Sequence, residues 1–377
     1  MSAVKRTETG RRAFIPVAEP SLGEREVELV TDAIRSGWVS SIGQYVTQFE
    51  NELASRCGVA HAVATSNGTT ALHLALAVAG VSAEDEVIMP SLTFVATAAA
   101  ARYLGASPVL ADVDHAHWCV DPADVASRIT SRTRALVAVD LYGHPADMDA
   151  LAEIAADHGL VLVEDAAEAL GAVYRGRPAG GLGRLGVLSF YGNKLITTGE
   201  GGALLTDDPA LAERARVLRD HAMDPHRRYW HGEIGFNYRI TNLQAALGVA
   251  QLERLDEFLE RKRTIAAAYR TGLQDVSGVT LQEEADWASS SWWMTTLRID
   301  GSRVDRDELA VRLRADGVDT RPAFVPLHLL PHLRQAGPLP VAEAIGNEGL
   351  SLPSSTSLTD FEVEHVIASV RSRMGSG

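Results

Sequence analysis

The sequence predicts an α/β protein with a mostly parallel sheet covered by helices on both faces, followed by a smaller α+β domain. Three observations carry this. Short apolar runs alternate with helical patterns from His61 to Arg219, the order that places helices over parallel strands. Small polar or glycine-rich turns follow several of these strands, where ligands bind in such folds. A long helical pattern from Leu243 toward Tyr269 has a charged outer face and separates the alternating region from the rest. It divides the chain into a large unit over 1–250, N-terminal segment included, and a small unit over 251–377.

Taken in order, residues 1–20 read as a lead ending in the extended stretch Phe14-Ile15-Pro16-Val17. Ser21 can cap a helix whose apolar positions are Val27, Leu29, Val30 and Ile34, ending near Ser36-Gly37. A second helix spans about Gln44 to Arg56. A strand over His61 to Thr65 then meets Ser66-Asn67-Gly68-Thr69-Thr70 and an apolar helix from about Ala71 to Ala79. This strand, turn and helix leave free N–H groups aimed at one spot, favourable for a phosphate. The alternation continues with strands Glu86 to Met89, Pro108 to Val113, Ala135 to Asp140, Leu160 to Glu164, Gly186 to Phe190 and Ala203 to Thr206. Helices over Phe94 to Tyr103, Met148 to His158 and Pro209 to Arg219 accompany them. The last part holds strands near Trp292 to Arg298 and helices near Asp305 to Ala315 and Asp360 to Arg373.

Three polar elements thus converge on one sheet edge. Asp165 follows one strand, Lys194 follows another, and the Thr65 to Thr70 turn follows a third. Convergence of polar groups from separate strands is the physical mark of a site. A lysine half removed from water can act as a nucleophilic amine. His226, Arg227, Arg228, His231 and Arg239 form a basic island in a chain of formal net charge −14. That acidic balance argues against nucleic acid or an anionic membrane as partner. Cys57 and Cys119 are far apart in no metal or disulfide pattern. With no signal-like leader and no apolar run near the ~18 residues a membrane helix needs, the cytoplasm is the expected compartment.

One motif misleads. Gly181-Leu182-Gly183-Arg184-Leu185-Gly186 has the GxGxxG spacing of dinucleotide sites, yet a strand follows it instead of a helix. It reads as a turn.

The segments Ser36-Gly37-Trp38, Ser66 to Leu72, Pro90-Ser91-Leu92-Thr93-Phe94, Glu164 to Glu168, Ser189 to Gly202, Gly235 to Arg239, Leu243-Gln244-Ala245-Ala246, Arg321-Pro322 and Pro326-Leu327-His328 together resemble the DegT/StrS sugar-aminotransferase family. The resemblance runs through nearly the whole chain. It implies the fold-type-I architecture, a mostly parallel seven-stranded sheet between helices with a smaller C-terminal α+β domain. It also implies pyridoxal 5'-phosphate (PLP) as cofactor, with pyridoxamine phosphate as its other form. Lys194 would carry PLP as a Schiff base and move the proton, and Asp165 would pair with the ring nitrogen. Phe94 would stack on the ring, Gly68, Thr69 and Ser189 would hold the phosphate, and Glu168 would face the ring hydroxyl. Asn237 and Arg239 would reach into a partner subunit's site, making the unit a homodimer with shared active sites. Trp38, Arg227, Arg228, His231 and His328 are the candidates for substrate binding.

Glu168, Tyr191-Gly192-Asn193 and Asn237-Tyr238-Arg239 resemble the perosamine-synthase branch in particular. That implies glutamate as amino donor and a keto sugar nucleotide, GDP-4-keto-6-deoxymannose foremost, as acceptor. A 3-keto sugar nucleotide, a cyclitol ketone of antibiotic biosynthesis, or a non-catalytic PLP- or sugar-nucleotide-binding role are the alternatives. The 3-dehydratase branch has histidine where this chain has Lys194, and a histidine cannot form a Schiff base.

Overall fold

The computed structural model describes residues 14–375. Valine-, leucine- and alanine-rich runs form the seven strands of the principal sheet. In chain order these are β1 His61–Thr65, β2 Glu86–Pro90, β3 Ser107–Ala111, β4 Thr133–Val139, β5 Val161–Asp165, β6 Leu185–Ser189 and β7 Gly202–Thr206. Their spatial order is β1-β7-β6-β5-β4-β2-β3. Only β7 runs against its neighbours, pairing antiparallel with both β1 and β6. β1 therefore points the same way as β4, β5 and β6, and the carboxyl ends of all four share one edge. Helices cover both faces, which is why most strand residues are buried on either side.

Glycine permits two close approaches here. A Cβ on Gly186 would meet the Gly180 carbonyl oxygen at 1.9 Å, and one on Gly202 would meet the Asn67 carbonyl at 2.5 Å. Both glycines let a turn lie directly on a strand.

The apolar pattern after Thr241 was expected to form one long helix, but the structure breaks it. Asn242–Glu253 and Leu255–Leu273 meet at Arg254, which has φ −106° and ψ 5°. The apolar stripe continues through the break because both helices bury one face, so composition does not mark it. The first helix packs Ala245, Ala246 and Val249 into the core shared with Phe49 and Phe190. The second carries Ile265, Tyr269 and Leu273 into the C-terminal core.

That core is built on a second sheet in the order Val279–Leu281, Thr295–Ile299, Gly349–Leu352 and Arg321–Pro322, antiparallel throughout. Helices Arg306–Ala315 and Asp360–Arg373 accompany it. The N-terminal lead touches both cores: Val17 packs in the core of the principal sheet, and Ile15 enters the C-terminal one. The Ile15 amide donates to the Gly317 carbonyl, and the fully buried Ile15 side chain packs with Leu313 and Val318. The lead's first 13 residues lie outside the described residues.

Candidate active site

A cavity of about 690 Å³ opens at the shared carboxyl edge of the strands. Asp165 is the last residue of β5 and lies on its floor, 4% exposed. Thr97, from helix Ala96–Tyr103, donates its hydroxyl to Asp165 Oδ2 at 2.9 Å. Burial pushes the Asp165 carboxyl up, while the Thr97 hydroxyl, the Ala167 N–H and the charge of Lys194 oppose that rise.

Lys194 follows β6 after a turn in which its N–H donates to the Tyr191 carbonyl at 2.8 Å. Its Nζ donates to Glu168 Oε1 at 3.4 Å and stands 3.9 Å from the centre of the Trp293 indole. The indole N–H donates to the Asn193 carbonyl at 2.7 Å, so the ring is tied to the turn that carries the lysine. Glu168 also accepts from the Tyr142 N–H at 2.9 Å. Burial raises the Glu168 carboxyl, and the charge of Lys194 opposes it. Tyr142 is buried at φ 58°, a conformation that strains a bulky residue. It aims its N–H at Glu168 while its ring lies nearly parallel to Phe324, 5.7 Å away.

The third element is the start of helix Gly68–Val78, capped by the Asn67 side chain, which accepts from the Thr70 N–H. The first N–H groups of a helix have no intrahelical acceptor and favour an anion. Gly68 lies against Ser189: a Cβ there would stand 2.7 Å from the Ser189 Cβ. This glycine leaves a small cradle between a helix start and a hydroxyl, the shape a phosphate requires. Phe94, 54% exposed, lines the cavity, its ring centre 5.9 Å from that of Phe324. The donor cradle, the buried acid and the paired lysine all fit PLP.

The structure gathers Gly68, Thr69, Phe94, Asp165, Glu168, Ser189 and Lys194 into this one cavity. The other sequence candidates stand elsewhere on the chain. Arg239 pairs with Asp220 at 3.1 Å and bridges β1 at Thr65, beside the exposed Asn237. Arg227 and Arg228 are exposed and stack on Trp230 and Tyr229. His231 contacts the His221 carbonyl, and Trp38 lies exposed with its carbonyl accepting from Asn242. His328 is 3% exposed and held between Ser91 Oγ at 2.7 Å and Glu343 at 3.1 Å, off the cavity wall. His328 sits in the short turn Leu327–Leu329, whose residues Leu327 and His328 are buried.

Sequence reasoning missed Thr97, Tyr142, Trp293 and Arg321 as wall residues. Thr97 follows Phe94 by one helical turn, which was a usable signal. Tyr142, Trp293 and Arg321 reach the site only through tertiary folding. The GxGxxG stretch bends over residues 181–184 and enters β6 at Leu185, and amides in and just before it serve a carboxylate. The N–H groups of Gly180, Leu182 and Gly183 donate to buried Glu164. Burial pushes both Glu164 and neighbouring Asp140 up, Asp140 further because Glu164 faces it.

Fold and cavity together define an enzyme that works with a lysine amine and a buried acid at the carboxyl edge of parallel strands. Comparison with known proteins makes the class specific. Residues 20–371 match the model of the DegT/DnrJ/EryC1/StrS aminotransferase family. The chain is 45% identical over 361 residues to the GDP-perosamine synthase of Caulobacter vibrioides, covering 94% of this chain and 97% of that one. Among solved structures, the aminotransferase TlmJ from Streptoalloteichus hindustanus superposes with a TM-score of 0.92 at 37% identity, covering 96% and 99% of the two chains. The PLP form of the putative sugar aminotransferase Spr1654 from Streptococcus pneumoniae gives 0.91 at 26% identity, covering 96% and 99%. The chain belongs to the DegT/DnrJ/EryC1/StrS aminotransferase family and is a PLP-dependent sugar aminotransferase.

Proposed function

We propose that this enzyme transfers the amino group of glutamate to a GDP-linked keto sugar, GDP-4-keto-6-deoxymannose foremost, and so makes an amino-deoxy sugar nucleotide. Similarity to GDP-perosamine synthases over nearly the full chain supports the acceptor. The single observation that carries the chemistry is Lys194, held between Glu168 and Trp293 in the cavity that Asp165 floors.

When bound, PLP supplies the electron sink that lets a proton leave the carbon bearing the transferred nitrogen. Lys194 would hold its aldehyde carbon, the cradle of Gly68, Thr69 and Ser189 its phosphate, and Asp165 its ring nitrogen. The chain's own groups do the rest. The Lys194 amine would be the base that takes the proton from the donor carbon and, as the ammonium, the acid that gives it back. Glu168 keeps that amine oriented by a hydrogen bond, and Trp293 shields it from water. Asp165 as a carboxylate favours a cation beside it, and Thr97 supports that charged form by donating to it. Ping-pong order follows, because donor and acceptor use one cavity in turn.

Asn237 and Arg239, beside β1, would serve the cavity of a second copy. Trp38, Ile42, Trp230 and Ile234 are exposed and suit burial against that copy. In this reading the enzyme is a cytoplasmic homodimer. Among the described residues no helix is long and apolar enough to cross a membrane.

A panel of keto sugar nucleotides and free cyclitol ketones, assayed with glutamate, tests the acceptor. Turnover is expected with the GDP-4-keto sugar and absent in Lys194→Ala. Normal turnover by that variant would overturn the assignment of the lysine. Preference for a cyclitol or a 3-keto sugar would overturn the acceptor.

A further inference from the structure

We infer that the guanidinium of Arg321 receives a carboxylate of the amino donor, glutamate in the reading above. The inference rests on the transamination reading above and assigns the residue that recognises its first substrate. Among the described residues, Lys194 and Arg321 are the only cationic side chains lining the cavity, against the carboxylates Asp165, Glu168 and Glu200. Lys194 is already engaged by Glu168 and Trp293. Arg321 is exposed to the cavity, and among the described residues its guanidinium has no acceptor within hydrogen-bonding distance. That sets it apart from its surroundings, where Arg298 on the same sheet is held by Glu348 at 2.7 Å and Arg371 by Asp275 at 2.6 Å.

Its backbone is fixed. Arg321 pairs with Ser351 in the second sheet, Pro322 follows it with φ locked, and the next amide, at Ala323, donates to the Gly349 carbonyl. The cavity beside it is walled by Phe324, Met294 and Trp293, apolar groups that strengthen an ion pair by excluding water. A planar guanidinium on a rigid root, in a half-apolar cavity, is matched to bidentate binding of a carboxylate. The basic island suggested by the sequence cannot take this role within one chain, because Arg227, Arg228 and Arg239 stack or pair away from the cavity.

The test uses the holoenzyme and reads the two half-reactions separately. Loss of visible cofactor absorption with glutamate reports the donor half, and its return with the keto sugar nucleotide reports the acceptor half. Arg321→Gln should raise the glutamate concentration for half-maximal rate roughly ten- to a hundredfold, the worth of a charge-assisted pair, and leave the acceptor half within about threefold. Arg321→Lys should fall between, since a point charge replaces the fork. The rate ratio of glutamate to an uncharged primary amine should drop in Arg321→Gln, which general damage to the site would not cause. An unchanged glutamate half-reaction, or a defect confined to the acceptor half, overturns the inference while the transamination reading stands. If glutamate fails to convert the unsubstituted holoenzyme, the transamination reading itself falls.

Discussion

Lys262 lies in helix Leu255–Leu273, 4% exposed, with its Nζ donating to the Trp293 carbonyl at 2.7 Å. Burial alone brings its pKa down to about 7. The unfolded chain holds the same proton up to about pH 10.4. Between those values the unfolded state binds a proton that the folded state forgoes, so stability rises with pH across that window. The penalty is full below about pH 7 and gone above about pH 10. At neutral pH it costs roughly 4 kcal/mol. Lys262→Met keeps an unbranched chain of similar length and removes the penalty. It also removes one hydrogen bond and leaves the Trp293 carbonyl without its donor, a loss of about 1–3 kcal/mol. The variant should therefore be more stable than the parent by about 1–3 kcal/mol at neutral pH and less stable by a similar amount above about pH 10. Urea-unfolding midpoints of the two holoenzymes, compared at matched pH, measure this crossing. A variant that is less stable by the same amount at every pH would refute the reasoning, because it would mean the amine titrates alike in the folded and unfolded chain.

Two further perturbations address the cofactor site. Thr97→Val removes the hydroxyl donated to Asp165, which stabilises the carboxylate. The acid then stays protonated to higher pH and competes with the cofactor's ring. PLP affinity, titrated spectroscopically on the apoprotein, should fall about tenfold, and by more at slightly acid than at slightly alkaline pH. An equal loss at both would count against the charge argument. Gly68→Ala places a methyl 2.7 Å from the Ser189 Cβ and fills the phosphate cradle. PLP should bind at least about tenfold more weakly while the Lys194 environment, read from the pH dependence of the bound cofactor's absorption, stays unchanged. Undiminished affinity would move the phosphate elsewhere.

Sequence alone determined the elements whose signals are local. Val161–Asp165 is apolar to its last two residues, Asn67 caps a helix that follows a small polar turn, and Lys194 follows an apolar strand. Such patterns state strand direction and strand end. In a parallel arrangement those ends meet at one edge, so Asp165, Lys194 and the Gly68 turn could be joined before any coordinates. The family's ordered motifs then supplied the chemistry that spacing alone leaves open.

Tertiary structure decided the groups that work through distant partners. The break at Arg254 has no mark in an apolar stripe that continues on both sides of it. Of His328 and Arg321, both in the family's C-terminal motifs, the sequence singled out only His328 as a substrate-binding candidate. One is buried between Ser91 and Glu343, and the other stands open on the cavity wall. The contact that holds His328 joins it to Ser91, 237 positions away. Trp293 over Lys194 and the Tyr142 amide at Glu168 belong to the same class. Local sequence states what a residue can do, and long-range packing chooses which of the capable residues face the substrate.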